Sequence, residues 1–94
     1  MILTMAVNDK GTLSYFLEWV RRDIVECILL LCAAEARFDD LTQLMTASSP
    51  VLLKKYLFYL IDCDLVFYDG QYCIYSIKDK GFKVLSRIIE DKIM

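Results

Sequence analysis

Apolar residues return every three or four positions from Thr12 onward: Leu17, Val20, Ile24, Ile28 and Leu31 make one stripe, and Trp19, Val25, Leu29 and Cys32 widen it past half the circumference. That period predicts a helix buried on more than one side, with a possible break at Arg21-Arg22-Asp23. It is either a central core helix or one whose early part, "LSYFLEW", packs on a second subunit. Upstream, residues 1–11 end in the turn-like "NDKG" and read as a loosely ordered N-terminus, leaving 12–94 as a single domain.

The pattern then shortens. In "RFDDLTQLMTASSP" Asp39 or Asp40 can cap a short helix whose apolar face is Leu41, Leu44 and Met45, and Thr46 to Ser48 make a brief turn. A strong helix start follows. Ser49 can accept a hydrogen bond from a free first-turn amide, and Pro50 suits the first helical position because its missing N–H had no partner there. Helix 49–62 then turns Leu53, Leu57, Leu60 and Ile61 inward and leaves Val51, Lys54, Lys55, Phe58 and Asp62 outward. It should end at Asp62-Cys63-Asp64, with an aspartate in the left-handed turn position.

Between 65 and 77 the period changes to that of strands. "LVFYDGQYCIYSI" has an Asp69-Gly70 turn between β-branched and aromatic runs, predicting a hairpin that pairs Tyr68 with Gln71, Phe67 with Tyr72 and Val66 with Cys73. Both faces are apolar, so one covers the core and the other wants a partner. "KDKGFKVLSRIIEDKIM" closes the chain as a helix with Phe82, Leu85, Ile88 and Ile89 inward. The expected class is mainly α with a small β-hairpin (α+β), in the order helix, helix, helix, hairpin, helix.

Composition adds one constraint. With 94 residues, 57% hydrophobic and 26% charged, the chain carries more apolar side chains than one small core can hide, which implies a subunit interface. Eleven basic residues against thirteen acidic ones give a net charge of −2, so no broad cationic surface is available for nucleic acid. The distribution is uneven. Residues 18–40 are mostly acidic, whereas 76–89 carry Lys78, Lys80, Lys83 and Arg87 against Asp79 alone.

Candidate chemistry is sparse. There is no histidine, no glycine-rich phosphate loop and no nucleophile with an adjacent base, which argues against an enzyme. Cys27, Cys32, Cys63 and Cys73 form no CxxC pair, and a zinc site would have to gather all four from scattered positions, so they read as small buried hydrophobes. No cofactor or small-molecule ligand is implied. The longest apolar run, Cys27 to Ala34, falls well short of the ~20 residues of a membrane span, and no signal segment is evident. The expected setting is soluble and cytoplasmic.

The element order, with Ser49, "LKKYLFYL" at 53–60, "DLV" at 64–66 and "YSIKDKGFKVL" at 75–85, resembles the small winged helix-turn-helix domains of archaeal and archaeal-virus transcriptional regulators. The resemblance covers residues 21–90. It implies a cytoplasmic, homodimeric regulator of double-stranded DNA: helix 49–62 enters the major groove, Ser49, Val51, Lys54 and Lys55 meet DNA, and hairpin 65–77 is a wing presenting Gln71 at its tip, with Lys78 and Lys80 at its base.

Several residues depart from that pattern. Val51, Leu52 and Phe58 stand where polar residues usually read bases, Asp69 at the tip repels phosphate, and Asp64 replaces a glycine. These departures keep two other expectations open: a winged-helix module that binds protein rather than DNA, and a regulator switched by a disulfide of Cys63, Cys73 or another cysteine. Capping alone explains Ser49-Pro50, and Lys54-Lys55 alone would be a solvated face.

Overall fold

The computed structural model describes residues 21–93, and expectations for residues 1–20, including the early helical stretch and its "LSYFLEW" face, lie outside them. Among the described residues four helices, α1 (Arg22–Ala33), α2 (Phe38–Leu44), α3 (Pro50–Asp62) and α4 (Asp79–Ile93), surround one core. Strands β1 (Val66–Asp69) and β2 (Ile74–Ile77) form a two-stranded antiparallel hairpin between α3 and α4. The class is α+β, as the periodicity predicts. Among the described residues no helix is long and apolar enough to cross a membrane.

Helix α1 starts where the sequence allows a break, because Arg21 is extended (φ −75°, ψ 121°) and helical geometry begins only at Arg22. Its wide stripe explains its position. Ile24, Val25, Ile28, Leu29 and Cys32 are all buried, in one cluster with Leu41 of α2 and Met45 just after it, Leu53, Leu57 and Leu60 of α3, and Val84, Leu85 and Ile88 of α4. No polar or charged residue is buried with them, among the described residues. The rim of α1 is tied to the end of α4 by Arg22 to Asp91 (3.0 Å) and Lys92 to Glu26 (2.8 Å). Glu26 is partly covered and the other three groups are exposed, so solvent screens both pairs and the buried aliphatic residues carry the packing.

Helix α2 begins two to three residues earlier than a cap at Asp39 or Asp40 implies. Arg37 is the capping residue, and Asp39 and Asp40 lie inside the first turn, where Asp40 Oδ2 accepts from the Arg37 backbone N–H at 3.0 Å. Leu41 and Met45 are buried as expected, but Leu44 is exposed.

Helix α3 ends in a Schellman motif. Asp64 takes the left-handed conformation (φ 68°), its N–H donates to Ile61 O at 3.0 Å, and Leu65 N–H donates to Leu60 O at 2.9 Å. Leu60 and Leu65 are both buried, so the turn delivers the chain straight from the core side of α3 into β1.

The hairpin is real, but its register differs from the expected one. Val66 pairs with Ile77, Phe67 with Ser76, Tyr68 with Tyr75 and Asp69 with Ile74, so the tip is the four-residue segment 70–73 and not a two-residue Asp-Gly turn. Gly70 has no positive φ; Cys73 takes it instead (57°). Asp69 causes the change. Its Oδ1 accepts from the N–H groups of Gln71 (2.9 Å) and Tyr72 (3.4 Å), so the side chain nucleates a wider turn at the residues that would otherwise have paired.

Helix α4 is also rotated from expectation. Its buried face is Gly81, Val84, Leu85 and Ile88, while Phe82 (48% exposed) and Ile89 (37%) stand outside the core. Of the cysteines, Cys32 is buried and Cys63 half-buried, whereas Cys27 and Cys73 are exposed; all four are free thiols, so the small-hydrophobe reading fits only the first two.

Candidate nucleic-acid interface

Ser49 stands just ahead of α3 with extended backbone (ψ 154°), and its Oγ accepts from Leu52 N–H at 3.1 Å. With Pro50 lacking an N–H and Leu52 already served, Val51 N–H is the first-turn amide left without such a partner, near the positive end of the helix dipole. The Ser49 hydroxyl hydrogen is still free to donate, because the oxygen serves as the cap's acceptor.

Leu53, Leu57 and Leu60 are pulled into the core, and that fixes the opposite face of α3. Val51, Lys55, Phe58 and Asp62 fall at intervals of four, three and four residues, which puts them on one outward strip with Lys54 beside it. Val51 is 77% exposed and Phe58 66%, so this strip is as apolar as it is basic. Leu44, at the end of α2, is also 66% exposed.

The lysines differ in their surroundings. Lys54 Nζ lies 5.3 Å from the centroid of the Phe38 ring at the start of α2, a cation–π contact worth about 0.5–1 kcal/mol at an exposed site. Lys55 and Lys80 make no ion pair with any described residue. Lys78 is engaged: its ammonium meets Asp64 Oδ1 at 2.5 Å and holds that carboxyl below the usual carboxylate range. Asp64, at the end of α3, thus neutralises one of the cations expected to contact DNA.

The structure brings Ser49, Val51, Lys54 and Lys55 together on the first half of α3. It puts Lys78 and Lys80 at the other end, beyond Asp64, a helix length of roughly 20 Å at 1.5 Å per residue. Gln71 lies at the hairpin tip with its side chain exposed. Asp69 does not project from that tip; its carboxylate is folded onto the tip amides, while Tyr72 (57% exposed) lies within it. Behind the tip the rings of Tyr68 and Tyr75 lie 4.6 Å apart at 42°, and the neighbouring Cys73 thiol is the main cause of the raised Tyr68 hydroxyl pKa.

Two features of this surface escape sequence reasoning. Phe38 under Lys54 is visible only once α2 packs on α3, and no periodic signal marks it. The second is a bridge from the α1–α2 connection: Ala36 N–H donates to Tyr75 O (3.0 Å) and Tyr75 N–H to Ala36 O (2.8 Å), which anchors the outer edge of β2 as a third, one-residue strand.

The four free thiols do not gather with carboxylates, and among the described residues no group of three or more possible ligands is placed to hold a metal ion. No family model, curated protein or solved structure matches the chain.

Proposed function

We propose that this chain is a homodimeric, DNA-binding transcriptional regulator of the winged helix-turn-helix kind, with α3 as its recognition helix and hairpin 65–77 as its wing. The observation that carries the reading is the capped start of α3, whose outward strip joins Ser49, Val51, Lys54 and Lys55 and is covered by no other described element. The bridge from Ala36 to β2 supports it further, since it ties the hairpin to the connection before the two helices in question.

On this reading α3 lies in the major groove, which is wide enough for a helix. The Ser49 hydroxyl and Val51 N–H meet one phosphate, and Lys54 and Lys55 neutralise its neighbours on either side. Val51 and Phe58 lack hydrogen-bonding groups, so their contribution to base recognition is contact with thymine methyl groups. Gln71 reaches the backbone or minor groove from the wing. Lys80 adds charge at the far end, and Lys78 contributes less because Asp64 already pairs with it.

A second reading has its own observation. Leu44, Val51 and Phe58 are each at least 66% exposed and the chain is net acidic, which suits a module that binds protein through this same surface.

One experiment separates the two. Binding of the purified chain to mixed-sequence duplexes is measured over a salt series, beside the double variant Lys54→Ala/Lys55→Ala. The DNA reading expects affinity that falls steeply with salt, and in the variant a log–log slope shallower by about 2 with affinity lowered at least tenfold at low salt. Folded protein that fails to bind duplex at low salt would rule that reading out and leave the protein-binding one.

A further inference from the structure

Helix α4 carries a second outward strip that the core does not use. Phe82, Ile89 and Ile93 are spaced by seven and four residues, so at 100° per residue they fall within about 40° of one another, with the small Ser86 between them. They are 48%, 37% and 78% exposed, and the strip runs some 16 Å along the helix at 1.5 Å per residue. The buried face, Val84, Leu85 and Ile88, points elsewhere.

Charge beside the strip indicates what covers it. Lys83 and Glu90 lie next to the strip on one flank, seven residues apart and therefore one above the other, and neither makes an ion pair with any described residue. Of the other charged groups on α4, Asp91 and Lys92 are already committed to Arg22 and Glu26, Arg87 lies farther round from the strip, and Asp79 stands one turn before Lys83 on the same flank. A two-fold axis perpendicular to α4 reverses the helix and keeps the same flank on the same side. It therefore sets Lys83 of one protomer near the partner's Glu90, and the partner's Lys83 near Glu90, while Phe82 of each copy meets Ile93 and Ile89 of the other. Strip and charges are complementary to themselves in this one direction, as an isologous interface requires.

We infer that this face of α4 is the surface on which a second copy of the chain docks, antiparallel, with the Phe82–Ile93 strip at the centre and two Lys83–Glu90 pairs at the edge. The inference supplies the interface of the homodimer in the DNA-binding reading, and α3 takes no part in it, so the two can fail separately.

Sedimentation equilibrium on the full chain, at concentrations up to about 100 μM, reads it directly. The wild-type chain is expected to dimerise, and Phe82→Asp and Ile93→Asp each to shift it to monomer with an unchanged far-UV circular dichroism spectrum. Lys83→Glu and Glu90→Lys should each weaken the dimer about tenfold by setting like charges together, and the double exchange should restore it to within about threefold. A monomeric wild-type chain overturns the inference, as does a dimer that survives both aspartate variants or a charge exchange without rescue. A monomer that still binds duplex in a salt-dependent way would refute this interface while leaving the DNA reading intact. A strip-dependent dimer that ignores duplex would do the reverse.

Discussion

Gly81 shows how much a single residue settles in a domain of this size. A Cβ at that position would lie 2.3 Å from the Leu65 carbonyl oxygen and 2.7 Å from Ile77 Cγ1, so α4 crosses the base of the hairpin at backbone-to-backbone distance. Leu65 O cannot retreat, because it accepts from Lys78 N–H at 2.9 Å and Leu65 itself is held by the Schellman turn. The glycine is therefore required by space; no unusual backbone angle demands it. Gly81→Ala is expected to cost about 3 kcal/mol through overpacking and a displaced helix. Urea unfolding reads this as a lowered midpoint at unchanged slope, and a loss below about 0.5 kcal/mol would show that the crossing can relax. Asp64 is a residue of the opposite kind. It accepts an unfavourable left-handed backbone and in return holds Lys78, so the same side chain shapes the end of α3 and withdraws a cation from the surface we assign to DNA.

At the scale of elements, the hairpin separates what the sequence encodes locally from what it does not. Strand period marks both strands, yet the observed pairing is displaced by four residues from the one an Asp-Gly turn implies. An even displacement keeps every side chain on its original face, so alternation of apolar residues cannot distinguish the two registers. The choice falls to Asp69, whose carboxylate holds the tip amides, and to Cys73, which must adopt φ 57° to close the loop. A non-glycine residue there is strained. Cys73→Gly is expected to stabilise the protein by up to about 1 kcal/mol, measured by thermal or urea unfolding in reductant, and a decrease in stability would mean that the thiol's contact with Tyr68 outweighs the strain. Helix α3 was legible almost to the residue because Ser49-Pro50 starts it and Leu53, Leu57 and Leu60 leave only one inward face. Helix α4 was not, since Phe82, Val84, Leu85, Ile88 and Ile89 span too much of the circumference for the pattern to choose. The close approach at Gly81 makes that choice, and it is a tertiary fact. The candidate interface divides in the same way: the positions of Lys54 and Lys55 follow from helical period, but the ring beneath Lys54 and the carboxylate on Lys78 follow only from packing.

At the scale of the molecule, a core in which no described residue is polar or charged still contains a group that can acquire charge. Cys32 is fully buried on α1, and burial pushes its thiol pKa from 9.0 up to about 12. Burial likewise raises Cys63 and Tyr75, the latter with a smaller contribution from Cys32 itself. In the unfolded chain the Cys32 thiol loses its proton near its ordinary value, whereas the folded chain keeps it until about 12. Between those limits the unfolded state binds fewer protons, so stability is constant below pH 9 on this account and falls as pH rises above it. One such group contributes at most about 1.4 kcal/mol per pH unit. Replacing it by Cys32→Ala should cost about 1 kcal/mol at pH 7, because a small cavity is left, and should make the decline between pH 9 and 11 distinctly shallower, Cys63 and Tyr75 supplying the remainder. The comparison is made by urea unfolding at fixed ionic strength with reductant present, so that neither oxidation nor salt enters. If wild type and variant lose stability in parallel across that interval, the alkaline transition belongs to Cys63, Tyr75 or repulsion on the acidic surface and not to the thiol at the centre of the core.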